Sequence, residues 1–131
     1  MLKKQLFFYL NQPLNVEASN VVSYIRHAQT VAYTTGHKIQ FSLSNDGENY
    51  LINCLAKDCP KNLNEKIRKG WNVNVSGGIL NFDSLGQPVD ANGSKIGAPM
   101  QFTLRRESEH AIIEIQPLTG YAKILSSAQE K

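Results

Sequence analysis

The spacing of apolar residues changes once along this chain, just after Gly36, and the change divides it into two parts. Before it, Val21, Ile25, Ala28 and Ala32 recur at helical intervals, flanked by Ala18, Val22 and Gln29. Asn15 is placed to cap the first turn, and Glu17 falls where the positive end of the helix dipole favours a carboxylate. Gly36, after two threonines, closes the pattern. The spacing predicts a helix over residues 15–34. Its small Ala28 and Ala32 let a sheet approach closely.

Beyond Gly36 the period is two. Ile39, Phe41 and Leu43 fall on one face, and Lys38, Gln40 and Ser42 on the other. Asp46-Gly47 is a hairpin signal, and "YLIN" is the returning strand. Further short strands are expected at "WNVNV", "GILNF", "MQFTLR", "AIIEI" and "YAKIL". Turn-forming residues separate them at Ser76-Gly77-Gly78, Asp83 to Pro88, Asp90 to Gly97 and Pro117 to Gly120. "KNLNEKIRKGW" admits one or two helical turns, because Asn62 and Glu65 have capping-box spacing and Gly70 could end them. One helix followed by a run of strands predicts an α+β fold, with the N-terminal helix packed on antiparallel sheet. Parallel strands would need crossover helices, and this chain has too few.

At 131 residues the chain fits one domain and can bury a real core. Its 41% hydrophobic content is globular, not disordered. The net charge of +3 is mild and its cations are scattered, so composition does not point to nucleic acid. No apolar run is long enough to cross a bilayer. The first stretch, "MLKKQLFFYLNQPL", starts like a signal sequence, but its apolar part is short and no small-residue cleavage site follows. Residues 1–14 read either as an edge of the domain or as residues attached at a cut point, with the head over 15–131.

Cys54 and Cys59 bracket four residues in "NCLAKDCP". A short disulfide-closed loop, and hence an oxidising compartment, is the first reading, with two free thiols second. Zinc comes third, because paired zinc ligands are usually closer and His27, His37 and His110 are isolated in sequence.

Catalytic patterns are missing: there is no nucleophile elbow and no cysteine signature. Each histidine reads as structural, and Glu107 and Glu109 read as exposed turn residues. Asp83, Asp90 and Asn92 could offer oxygens to calcium, but they are also ordinary turn formers and lack EF-hand spacing. No catalytic residue, metal or cofactor is expected. For nucleic acid, Lys61, Lys66, Arg68 and Lys69 form the densest basic segment, with Trp71 and Tyr121 as stacking groups. Arg105 and Arg106 are adjacent on a strand and so point to opposite faces.

Three motifs together resemble one family. "NVVSYIRHAQTVAYTTGHKIQFSL" runs from a helical stripe through a glycine into a first strand. "ILNFDSLGQPVD" is an apolar strand, Phe-Asp, then Gly-x-Pro. "AIIEIQPLTGYAKI" is a strand, a turn ending in glycine and a last strand. Over about residues 16–125 this order resembles the GspH/FimT-type minor pilins and minor pseudopilins. The "RHAQTVA" phrase and the cysteine loop resemble the minor pilins of the mannose-sensitive haemagglutinin pilus.

The resemblance implies a pilin-like head whose signature residues are Phe82, Asp83, Gly86, Pro88 and Gly120, with Phe82 in the core and Asp83 to Pro88 reversing the chain. It implies a non-enzymatic subunit of a type IV pilus or type II secretion filament, whose partners are other pilin or pseudopilin subunits. It also implies an inner-membrane anchor through an apolar stem, with the head in the periplasm before assembly. That stem is not seen ahead of residue 15, so the chain reads as a head with its stem removed. The contact surfaces are expected in the cysteine loop, residues 61–70 and residues 86–98. Some relatives capture DNA through a Gly-Arg-x-Arg motif. The matching place here reads Gly120-Tyr121-Ala122-Lys123, which keeps only Lys123 and predicts weak DNA binding at most. A sugar-binding role through Trp71 is the third alternative.

Overall fold

The helical stripe becomes α1, Leu14–Thr35, in the computed structural model, which describes residues 13–129. Leu14, Ala18, Val21, Ile25, Ala28 and Ala32 form its buried face. Its start differs from the expectation for Asn15. Pro13 is the N-cap, extended at φ −60° and ψ 150°, and Asn15 is an exposed residue inside the first turn. No side chain caps from the cap position itself. Instead the Leu14 amide donates to Glu109 Oε2 at 3.4 Å, so a carboxylate from a distant strand meets the dipole. Glu17 turns toward the sheet: buried, its Oε2 accepts from the Tyr50 hydroxyl at 2.7 Å and the Gly70 amide at 3.0 Å. At the far end Gly36 takes a left-handed φ of 72°, and its N–H donates to Ala32 O.

Among the described residues nine strands follow: β1 Ile39–Leu43, β2 Asn49–Cys54, β3 Glu65–Arg68, β4 Asn74–Ser76, β5 Leu80–Phe82, β6 Pro88–Val89, β7 Met100–Arg106, β8 Glu109–Ile115 and β9 Ala122–Gln129. They make a five-stranded sheet in the order β3-β2-β1-β5-β6 and a four-stranded sheet in the order β4-β7-β8-β9. Every pairing is antiparallel. Registers such as Phe41↔Ile52, Ile39↔Phe82 and Phe102↔Ile113 put the alternating apolar sets on one face of each sheet. Helix α1 packs across β1 and β5 of one sheet and β7, β8 and β9 of the other. Phe41 joins the layers, stacking on Tyr50 at 5.8 Å and meeting Phe102 edge-on at 5.7 Å. The α+β architecture read from the periodicity therefore stands.

Three local expectations change. "KNLNEKIRKGW" forms one 3-10 turn, Lys61–Leu63, and then enters β3. The capping-box role for Glu65 loses to strand pairing with Ile52 and to its carboxylate's contact with His27 Nε2 at 2.8 Å. "WNVNV" shrinks to β4, because Asn72 adopts a positive φ of 55°. The short β6, not among the expected strands, falls where the two turn stretches Asp83 to Pro88 and Asp90 to Gly97 meet; its proline sits at a sheet edge, where a missing N–H costs little. Cys54 and Cys59 are joined as a disulfide with Cα atoms 6.0 Å apart, closing a loop off the end of β2. Among the described residues no helix is long and apolar enough to cross a membrane. The leader-like reading of Met1 to Leu10 lies outside the described residues.

Candidate docking surface

Four of the five signature residues fall within one stretch, Phe82 to Pro88, and the fold brings the fifth, Gly120, against Phe82. Strand β5 ends in Phe82, which is fully buried. Asp83 then reverses the chain: its Oδ1 accepts from the amides of Leu85 at 3.0 Å and Gln87 at 2.9 Å, and its own carbonyl accepts from Gly86 at 2.9 Å. Pro88 and Val89 follow as β6, both buried. A second reversal joins β8 to β9, where Gly120 N–H donates to Gln116 O at 2.9 Å. Both turns close against α1, and Gln29 pins them. Its amide nitrogen donates to Gly86 O at 2.8 Å and to Thr119 O at 2.6 Å.

That closeness explains the two glycines. Gly86 has a φ of +79°, and a Cβ there would lie 3.1 Å from Tyr33 Cβ. Gly120 has a φ of +70°, and a Cβ would lie 2.6 Å from Gln29 Nε2 and 3.1 Å from Phe82 Cε1. Left-handed backbone and absent space both exclude larger residues. Gln29 reads in the sequence only as a flank of the apolar stripe. Nothing in its spacing reveals that two distant turns converge on it.

Around this junction lie three exposed apolar side chains, Tyr33 at 65%, Leu85 at 73% and Leu118 at 57% relative exposure. Leu118 holds a φ of +69°, which costs a non-glycine residue about 1 kcal/mol. A leucine that stays in solvent at such a φ contributes little to folding. The three side chains, with Thr30, Gln87 and Thr119, line an open groove of about 400 Å³ that carries no charged residue. Exposed apolar side chains that converge, unlike ones scattered singly, make this groove the candidate for contact with another protein. The signal in the sequence is an apolar residue inside a turn string, Leu85 in "DSLGQP" and Leu118 in "PLTG".

The remaining candidates are scattered. Lys61 is exposed in the 3-10 turn; Lys66 and Arg68 are exposed on β3 with period-two spacing; Lys69 follows, half-buried. Lys123 is exposed on β9, an edge of the other sheet. Arg26, near Lys123, donates to Ala122 O at 3.0 Å and lies 5.0 Å from the centre of the Tyr121 ring. Arg105 is exposed and Arg106 is buried beside Glu109 at 3.5 Å, on opposite faces as alternation requires. Glu109 is thus not the exposed turn carboxylate expected, because it serves Arg106 and the start of α1. Asp90 Oδ1 accepts from the amides of Asn92 and Ser94, and Asp83 holds its own turn, so both carboxylates act as turn formers. Trp71 is half-exposed in a shallow hollow with Glu48, Lys69 and Asn72. His37, isolated in sequence, comes to the cysteine pair.

No family model matches the chain, and no curated protein matches it significantly. Solved structures do. The type IV minor pilin FimU of Pseudomonas aeruginosa, in one crystal form, superposes with a TM-score of 0.65 at 14% identity, covering 89% of this chain and 93% of that one. In a second crystal form the TM-score is 0.64 at 15% identity, covering 88% of this chain and 98% of that one. A helix packed on two antiparallel sheets, superposing on FimU over most of its length, gives this chain a pilin-like α+β fold.

Proposed function

We propose that this chain is the head of a non-enzymatic minor pilin or pseudopilin, which assembles with other pilin-like subunits into a type IV pilus or a type II secretion filament. The observation that carries this reading is the uncharged groove of Tyr33, Leu85 and Leu118, built on a fold shared with FimU. In this reading the helix and the two pinned turns present an uncharged face, with Tyr33, Leu85 and Leu118 exposed among amides and hydroxyls, to a neighbouring subunit. Before assembly the subunit waits at the inner membrane with its head in the periplasm, where the disulfide persists. Phe82, Asp83, Gly86, Pro88 and Gly120 shape the junction, and contact falls to the exposed residues around it. Nucleic-acid capture has less support, because Lys66 and Arg68 stand on the edge of one sheet and Lys123 on the edge of the other.

The test is genetic. The gene is deleted in its own bacterium and restored either unchanged or with Leu85→Glu and Leu118→Glu together. Both side chains are exposed, so the doubly substituted protein is expected to fold and accumulate. Filament number by electron microscopy, or secretion of exported proteins, should fall on deletion and recover only with the unchanged copy. Full recovery by the substituted copy would reject the groove as the assembly contact. Normal filaments and secretion after deletion would reject the filament role.

A further inference from the structure

We propose that Cys54, Cys59 and His37 form a redox-gated binding site for zinc, closed while the disulfide stands and open once it is reduced. The ligand-capable atoms of these three residues lie within 4.8 Å of one another, and all three residues are half-buried near the surface. Zinc takes thiolate and imidazole ligands in a tetrahedron, and two sulfurs, one nitrogen and a water complete one. Two thiolates also neutralise its charge.

The fold holds most of this set in place without the disulfide. His37 lies two residues before β1, and Cys54 ends β2. The two strands are in register there: Ile39 pairs with Cys54, and the Leu55 amide donates to Lys38 O at 3.0 Å. Asn64 Oδ1 accepts from the Cys54 amide at 2.8 Å, which steadies that ligand from behind. Cys59 sits on the loop, held by a longer 3.3 Å bond from its amide to Ala56 O, and so is the member free to adjust. Tetrahedral zinc at about 2.3 Å from each sulfur needs the sulfurs about 3.8 Å apart, wider than the roughly 2.0 Å of a disulfide. With Cα atoms 6.0 Å apart, side-chain rotation and a small loop shift supply the difference.

A dithiol gives two electrons and two protons to the Cys54–Cys59 bond, becomes a cyclic disulfide itself and leaves two protein thiols. Zinc then displaces both thiol protons and binds the two thiolates and the neutral His37 ring. In the oxidised chain neither sulfur is a thiolate, so the site is closed.

The test uses the full chain. It is reduced with a trialkylphosphine, which takes up the oxygen of water as the disulfide opens, and is freed of reductant under inert gas. It is then titrated with Co²⁺ and competed with Zn²⁺. The expected result is one Co²⁺ per chain, with a thiolate-to-cobalt charge-transfer band and tetrahedral d–d absorption, both removed by Zn²⁺. Oxidised protein should show neither. His37→Ala should weaken Zn²⁺ binding by about tenfold or more and alter the d–d envelope, since even supporting partners of a ligand are worth ~10–100-fold. Cys59→Ser, which leaves the Cys54 thiolate alone, should weaken the charge-transfer band by about half and lower the affinity for Zn²⁺. Circular dichroism before and after reduction reports the fold. Equal metal binding by the oxidised chain, an unchanged affinity in His37→Ala, no thiolate band on reduction, or unfolding on reduction would each overturn the proposal.

Discussion

Replacing Gly120 with alanine tests whether the junction beneath the groove is as tight as its geometry states. The backbone there has a φ of +70°, which costs an L-residue about 1 kcal/mol. The new methyl would lie 2.6 Å from Gln29 Nε2, so the amide must leave the two carbonyls it serves, Gly86 O and Thr119 O. Each hydrogen bond contributes about 1 kcal/mol, less for the exposed one to Thr119. Together these give about 2–3 kcal/mol, or ~7–11 °C in Tm for a domain of this size. Gly93→Ala is the matched control: its φ is +84°, but the nearest atom, Lys38 Nζ, is 4.0 Å from the added carbon. It should cost only the backbone term, about 1 kcal/mol. Urea unfolding followed by circular dichroism measures both. A second arm combines Gly120→Ala with Gln29→Ala, and the pair should destabilise by less than the sum of the singles, because the clash and the lost bonds are shared. Equal losses in Gly120→Ala and Gly93→Ala, or strict additivity with Gln29→Ala, would refute the reasoning.

Three other outcomes follow from individual contacts. Tyr50→Phe removes the hydroxyl that donates to the buried Glu17 carboxylate and should cost about 1–3 kcal/mol in denaturant unfolding, with Gly70 left as its donor. Cys54→Ser with Cys59→Ser removes a short closed loop and should lower stability by about 2 kcal/mol while leaving the circular dichroism spectrum of the fold intact. The Ser44 hydroxyl, and after it the Glu48 amide, hold the Asp46 carboxyl below its ordinary value. Its folded pKa is depressed, so its contribution is present above the ordinary carboxylate value and is lost as pH falls through the folded one. Carboxyl-carbon NMR titration should show this, and Ser44→Ala should move the midpoint upward.

Periodicity carried the architecture. The stripe through Val21, Ile25, Ala28 and Ala32 marked α1 to within a residue at each end, because one buried face demands that spacing. Alternation at Ile39, Phe41 and Leu43 marked β1 for the same reason. Strand β3 escaped because its only inward apolar residue is Ile67, and local capping signals at Asn62 and Glu65 competed with it. The capping role does not fall to Asn15, because Pro13 holds the cap position and the first free amide, that of Leu14, is met by Glu109 from a strand distant in the chain. The candidate site was half visible. Turn residues such as Asp83, Gly86 and Gly120 announce themselves locally, whereas Gln29 gains its meaning from two carbonyls that only the fold brings near. His37 is hidden for the same reason, since antiparallel pairing of β1 with β2 is what carries it to the cysteines.

The central claim is that the groove at Tyr33, Leu85 and Leu118 contacts a neighbouring subunit. Photo-crosslinking in living cells tests it most directly, with a benzophenone amino acid placed at Leu118 and, as a control, at Asn45, an exposed residue of the β1–β2 turn. An adduct between the Leu118 probe and a pilin-like subunit is expected, identified by mass spectrometry and lost when Leu85→Glu is added. Adducts from Asn45 alone, or none from Leu118 in cells that carry assembled filaments, would contradict it.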